Sequence, residues 1–374
     1  QTLADAEAAN IPVIAYDRLI ENAKTAYYVS FDNYTVGVLQ AQYVIDALDL
    51  ENAGDKVYNI EFTAGDPADT NAGYFFNGAK DTLQKYLDAG TLNVPSGKLT
   101  FEQVATPGWS TDTALENFQN TLASYYGDGT VLDVALCSND STALGVAQAI
   151  VSDYAGSNTP IVTGQDGDIA NLKNIVDGIQ TMTVYKNVSD EAGVTLVVAQ
   201  EMLAGNTPDA STCAKFAADA AFDTETYDNG MGVVPSFLLV PYSIDKDNLD
   251  LLVATGLYTM GADGYLVAAD SPAAAAAPAA APTGEGQLIG ISMPTKSLER
   301  WNRDGSYLKE QFEAAGYNVE LTYSDNDAVQ QNNDIANMIA DGVDLLIITA
   351  IDSATLSQTL ADAEAANIPV IAYD

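Results

Sequence analysis

The sequence predicts an α/β protein built from two Rossmann-like parallel-sheet lobes joined by a three-crossing hinge. Three observations carry that prediction. Short apolar runs alternate with amphipathic helical stretches, the pattern of βαβ units covered by helices on both faces. The alternation runs to a crossing point and then restarts. Polar and indole side chains gather just past the apolar runs, where open parallel sheets bind their ligands.

The elements read most simply from residue 287 onward. Residues 287–293 form a buried strand, and 307–316 an amphipathic helix with Leu308, Phe312 and Ala315 on one face and Gly316 as its stop. A strand at 319–323, a helix at 327–341 and strands at 343–349 and 368–373 follow, with a helix at 353–367 before the last. The pattern restarts with a helix at 35–48, a strand at 57–62, a helix at 72–89 and a strand at 99–105. It continues with helices at 111–126, 141–154, 169–177 and 190–204, and strands at 134–137, 161–163 and 181–185. Crossings are expected near 31–33, 185–187 and 234–241. One lobe then draws on 288–374, 1–33 and about 186–233, and the other on 34–185 and about 234–270. Two α/β lobes crossed repeatedly by the chain imply a hinged clamshell.

Composition excludes several functions. The 374 residues include 14 Lys+Arg against 52 Asp+Glu, a net charge of −38. A nucleic-acid partner is therefore not expected, because phosphate binding needs clustered cations. Histidine is absent, which removes Ser-His-Asp and Cys-His catalysis and every His-ligated metal. Cys137 and Cys213 are too few for a structural zinc site or a disulfide framework. No cofactor, metal or membrane span is expected.

Residues 1–17 and 358–374 are the same sequence, QTLADAEAANIPVIAYD. The offset of 357 residues is a whole-protein period. Residues 271–287, SPAAAAAPAAAPTGEGQ, form an Ala/Pro spacer with nothing to bury. Together these suggest a circularly permuted order, a window on tandem identical domains, or an assembled repeat. An engineered switch with two copies competing for one slot is a variant of the first. A parallel sheet has one slot for each strand, so one copy is expected to dock while the other frays, pairs at an edge or swaps.

The polar residues past the strands have a common chemistry. Lys296, Arg300 and Trp301 follow one strand; Asp17 and Arg18 follow another. Asp66, Asp69 and Asn71 lie in one loop, Trp109 in a second, and Asn139, Asp166 and Lys186 each follow a strand. Asp accepts, Arg and Lys donate, and Asn does both, which suits the vicinal hydroxyls of a sugar. Both tryptophans of the chain fall in these loops, and indole covers the apolar face of a sugar ring. Each residue alone also has a structural reading: a loop Trp packs, Asp-Arg pairs locally, Lys186 is a surface lysine, and Asp140 is a helix cap.

At these residues the chain resembles the type I periplasmic sugar-binding proteins of ABC importers, in particular the xylose- and multiple-sugar-binding branch. The stretches MPTKSLERW (293–301), AYDRLI (15–20), SFDN (30–33), GDPADTNA (65–72), SNDSTALG (138–145), TGQDGD (163–168) and TMTVYK (181–186) carry the resemblance. So do VGVLQA (36–41), NNDIANMIADGVDLLII (332–348) and NGMGVVPSFLL (229–239). The likeness covers nearly the whole period outside the spacer, in permuted order. It implies a monosaccharide bound between the lobes with no chemistry done on it. By motif position it assigns ligand contacts to Arg300, Trp301, Asp17 and Arg18, and to Asn71, Trp109, Asn139, Asp166 and Lys186. Lys296 matches the multiple-sugar branch and not the xylose branch, so the sugar stays open. Thr70 stands where the family more usually has Asn, and Cys137 where a small residue is common. Asp374 repeats the place of Asp17 without a following Arg. Residues 211–224, with Cys213, look like an insertion, and a Cys137–Cys213 disulfide has no support in the pattern.

The resemblance further implies an extracytoplasmic receptor, periplasmic or lipid-anchored on a Gram-positive surface, with an ABC permease as partner. The alternative is a sugar-sensing domain coupled to a chemoreceptor or sensor kinase, or an engineered permuted sensor. A repressor-type effector domain shares the fold, but requires a helix-turn-helix where this chain has its spacer. A hydrolase or isomerase without histidine needs paired carboxylates such as Asp17 and Asp166.

Overall fold

The computed structural model describes residues 14–17, 19, 26–203, 206–269, 287–343, 345–351 and 370–373. The expected helix at 353–367, the spacer up to residue 286, Arg18 and Asp374 lie outside them.

In chain order the first elements are β1 (Ile14–Tyr16), β2 (Tyr27–Phe31), α1 (Asn33–Ala47), β3 (Tyr58–Thr63), α2 (Thr70–Asp88), β4 (Leu92–Asn93), α3 (Phe101–Val104) and α4 (Thr111–Tyr125). Then come β5 (Val134–Cys137), α5 (Asp140–Asp153), β6 (Ile161–Val162), α6 (Ile169–Asp177), β7 (Met182–Tyr185), α7 (Val188–Leu203), β8 (Ala220–Asp223) and β9 (Ser236–Leu239). The last are β10 (Tyr242–Asp245), α8 (Asp250–Ala254), β11 (Tyr258–Met260), β12 (Leu266–Ala268), β13 (Leu288–Met293), α9 (Glu299–Ala314), β14 (Asn318–Tyr323), α10 (Ala328–Asp341), β15 (Leu345–Thr349) and β16 (Val370–Tyr373).

The chain divides into two units, one of residues 1–31, 187–240 and 273–374 and one of 32–186 and 241–272. Asp32, Asn33 and Lys186 thus belong to the second unit, and the third crossing falls at Val240/Pro241.

The second unit carries a parallel sheet in the order β4-β3-β5-β6. Ile60, Phe62, Val134 and Leu136 face Ala41, Val44, Phe76 and Leu83 of α1 and α2. Ala135, Cys137 and Val162 face Phe118, Leu122 and Val146 of α4 and α5. Both faces are covered, so even the polar Glu61 and Thr63 of β3 are buried. Side chains close the helix starts: Asp32 accepts the Thr35 N–H at 3.0 Å and Ser110 that of Thr113 at 3.2 Å. The strand expected at 99–105 is instead the short helix α3. Gln103 Oε1 accepts the N–H groups of Leu99 (2.9 Å) and Thr100 (3.1 Å), a helix-start contact that an extended chain cannot make.

The first unit holds an eight-stranded sheet in the order β14-β13-β15-β16-β1-β2-β9-β8, parallel but for the antiparallel β8. Ile335 and Met338 of α10 pack with Leu346 and Ile348 of β15 in its core. Residues 211–224 resolve into a 3-10 turn at Ala210–Lys215 and the edge strand β8. Both cysteines are free, and burial pushes the Cys137 thiol well up and out of reactive range.

The duplicated segment departs from expectation. Both copies are interior strands, lying side by side with Ile14 opposite Ile371 and Tyr16 opposite Tyr373. β15 aligns Ile347 with Ile371, and β2 aligns Tyr27 with Ile14. Ile14 and Ile371 are the same residue of the repeat. A single copy can therefore pair with both outer neighbours in the registers already present, and the second copy widens the sheet by one strand without shifting them. Proline in an interior strand removes a ladder hydrogen bond and is found essentially only at sheet edges or bulges. Ala15→Pro and Ala372→Pro singly are expected to leave a cooperative melt by circular dichroism, and the double variant to lose it. Loss of the melt in both single variants would show that both strands are required.

Candidate functional site

Each unit gathers its own polar cluster at the C-terminal ends of its strands. In the first unit Asp17 follows β1 in the left-handed region (φ 57°) and is 1% exposed. Its N–H donates to the Val29 carbonyl at 2.7 Å, and its own carbonyl accepts from the Tyr28 (2.5 Å) and Ser30 (2.7 Å) hydroxyls. These bonds fix the turn and aim the carboxylate at α9. There Arg300 Nη2 lies 2.9 Å from Asp17 Oδ2, and Arg300 Nε lies 3.2 Å from Asp304 Oδ2. Asp304 is itself 1% exposed. One guanidinium thus bridges two buried carboxylates, a role its planar fork suits and a lysine's point charge does not. The Arg300 guanidinium also stacks 4.6 Å from the Trp301 ring centroid, and that indole is buried. Lys296 stands apart: it is exposed, with Nζ 4.8 Å from the Tyr323 ring centroid.

The second unit's cluster surrounds Phe75 and the end of β7. Asp69 caps α2 by accepting the Asn71 N–H at 2.8 Å, and its other oxygen accepts the Trp109 indole N–H at 3.0 Å. The indole centroid lies 6.2 Å from that of Phe75, and Lys186 Nζ lies 5.2 Å from the same phenyl ring. Asn71 and Lys186 are both buried. Asn139 Oδ1 caps α5 through the Thr142 N–H at 3.0 Å, while its amide nitrogen makes a long 3.4 Å contact to Asp166 Oδ2. Asp166 sits at φ 111° with its N–H donated to the Val184 carbonyl at 2.9 Å.

The sequence-predicted residues therefore fall into two sets, each within its own unit. Asp17, Arg300 and Trp301 meet in one; Asn71, Trp109, Lys186, Asn139 and Asp166 share the other. Lys296 joins neither by a direct contact, and Arg18 lies outside the described residues. Two assignments shift. Trp109 was expected to offer its ring from a loop. Its ring is instead 8% exposed, packed with Val36, Phe75, Met182 and Val184, and a Cβ on Gly65 would overlap it at 1.9 Å. The α5 cap is Asn139 rather than Asp140, which is a buried residue of the first helical turn. Asp304 was missed, although its i,i+4 spacing from Arg300 is a legible ion-pair signal. Phe75 and Gln180 gave no signal, because nothing in their local sequence marks them as neighbours of the loops they support.

Among the described residues no cluster of three or more metal-binding acids or cysteines occurs.

Residues 1–207 and 289–374 match the periplasmic binding protein domain family. The multiple sugar-binding periplasmic receptor ChvE of Rhizobium radiobacter is 40% identical over 260 residues, covering 68% of this chain and 70% of that protein. The D-xylose-binding periplasmic protein of Escherichia coli K12 is 33% identical over 255 residues, 68% of each chain. An ABC transporter solute-binding protein from Clostridium phytofermentans, solved with bound β-D-glucose, superposes with a TM-score of 0.63 at 46% identity, covering 69% of this chain and 76% of that one. A carbohydrate transporter solute-binding protein from Chloroflexus aurantiacus, in complex with D-glucose, gives a TM-score of 0.58 at 30% identity, covering 69% and 75%.

Proposed function

The chain belongs to the periplasmic binding protein domain family, and we propose that it is an extracytoplasmic receptor for an aldopyranose such as glucose, xylose or galactose, delivering it to an ABC importer. The observation that carries this reading is the pair of polar clusters, one per unit, each combining a buried carboxylate, a buried or half-buried cation and an indole at strand C-termini. A pyranose presents adjacent hydroxyls that donate and accept, and such a set meets them with acceptors at Asp17 and Asp166 and donors at Arg300 and Lys186. Similarity to solute-binding proteins solved with glucose supports the sugar class.

Binding is the whole reaction. The sugar stabilises the state that binds it more tightly, and the population shifts toward that state because its affinity there is higher. A membrane permease reads the liganded state. Among the described residues no helix is long and apolar enough to cross a membrane.

Isothermal titration with D-glucose, D-xylose, D-galactose and L-arabinose tests the reading. Saturable heat is expected with at least one of them, and Asp166→Ala is expected to weaken that binding by roughly tenfold or more, a loss of about 1.4 kcal/mol. Absence of heat with all four would refute the proposal.

A further inference from the structure

Asp140 is fully buried, and the ligand reading gives it no role. Its carboxylate nevertheless receives three hydrogen bonds: Gln180 Nε2 donates to Oδ1 at 2.9 Å, and the Asp168 N–H (2.9 Å) and Thr183 hydroxyl (3.1 Å) donate to Oδ2. Its backbone is tied as well, the N–H donating to the Gln165 carbonyl at 2.8 Å and the carbonyl accepting from Asn171 Nδ2 at 2.8 Å. Gln180 is held in turn, because its Oε1 accepts from Asn171 and its Nε2 also reaches the Met182 carbonyl. One carboxylate thus joins the start of α5, the start of α6, strand β7 and the whole 165–168 loop.

That loop carries Asp166. Its backbone turns at Gly167 (φ 70°) and is bent at Asp166 (φ 111°), a conformation that holds for a non-glycine residue only where neighbours over-determine it. The Gly167 N–H makes a 3.4 Å contact to Thr183 Oγ1, whose own proton goes to Asp140. A Cβ on Gly164 would lie 2.0 Å from Asp140 Oδ1, so the loop backbone is pressed directly against this carboxylate.

We propose that Asp140 is a positioning residue that holds the Asp166 loop in its ligand-binding shape, acting through Asp168, Thr183 and Gln180 without touching the sugar. The proposal rests on the sugar-receptor reading for its consequence, and on the hydrogen-bond geometry for its cause.

The protonation state matters. All three groups facing the carboxylate are donors, and the α5 N-terminus favours negative charge. Burial first, and the charge of Asp166 second, push the Asp140 carboxyl upward. The titratable groups that face it are Asp166 from the loop and the Cys137 thiol from the end of β5; Lys186 lies just beyond β7. Protonating Asp140 places a fourth proton where three donors already point, which loosens the loop. Affinity should therefore fall as pH falls through the raised value.

The test measures sugar affinity of the whole chain by calorimetry between about pH 8.5 and 5.5, together with amide hydrogen exchange of residues 164–168 in the sugar-free protein. Asp140→Ala is expected to weaken binding by roughly tenfold or more and to speed exchange at Gly167 and Asp168. Asp140→Asn keeps one acceptor, so it should restore part of the affinity while losing the wild-type pH dependence. Binding by Asp140→Ala within about twofold of wild type, unchanged exchange, or a wild-type pH profile in Asp140→Asn would each overturn the proposal. If Asp140→Ala fails to fold, Thr183→Val decides: weaker binding at an unaltered melting temperature supports the proposal, and wild-type affinity overturns it. If the wild type binds no sugar, the receptor reading fails separately, and exchange alone shows whether Asp140 holds the loop.

Discussion

Arg300→Ala should abolish measurable sugar binding and destabilise the first unit by about 3–5 kcal/mol, the usual consequence of leaving buried charge without its partner. The guanidinium lies 2.9 Å from Asp17 and 3.2 Å from Asp304, and both acids are 1% exposed. Removing it leaves two negative charges in a low-dielectric setting and repelling each other. It also frees Trp301, whose ring the guanidinium stacks against at 4.6 Å. Arg300→Lys restores the charge, but an ammonium cannot bond both carboxylates along two edges of a planar fork. It is therefore expected to recover much of the stability and little of the affinity. A melting curve and a titration for each variant separate the two effects. Wild-type affinity in Arg300→Ala would remove Arg300 from the site; an unchanged melting temperature would show that the acids find other partners.

The Arg300 cluster shows what the sequence could and could not convey. Asp17 and Arg300 each sit just past an apolar run, so the strand-end rule found both. Nothing in the local pattern says that they meet, since 283 positions separate them in this numbering; the parallel sheet does that. Helices were legible where a start residue and an apolar face agreed, as at α10, where Asp327 closes the first turn. The strand expected at 99–105 was not one, because Thr100 and Gln103 form a helix start stronger than the apolar spacing around it. Strands β8 to β12 have three or four residues each, too few for any period to show. The duplicated strand was legible as a repeat but not as two adjacent strands. Predicting that requires knowing that the registers of β15 and β2 both accommodate it.

The indole of Trp109 is where the two readings of an aromatic loop residue compete most directly. Its N–H bonds Asp69 at 3.0 Å, its ring lies against Gly65, and Phe75 flanks it at 6.2 Å. At 8% exposure most of its area is already spent on the second unit's own core. Trp109→Ala should therefore cost about 3–5 kcal/mol of stability, as buried tryptophan truncations do, with an added penalty because Asp69 loses its indole donor. Trp109→Phe refills most of the volume and separates these contributions: its remaining deficit is the lost N–H bond. Asp69 also caps α2 through the Asn71 N–H at 2.8 Å, so a disturbed Asp69 shifts Asn71 even if no sugar ever touches the indole. Weaker binding in Trp109→Phe, measured well below its melting range, would mean that the Asp69–Asn71 hinge point transmits the effect. Weaker binding confined to Trp109→Ala would assign it to the ring itself. Wild-type affinity in both, with the expected loss of stability, would make Trp109 a core residue and leave Asn71, Lys186, Asn139 and Asp166 as the second unit's candidate contacts.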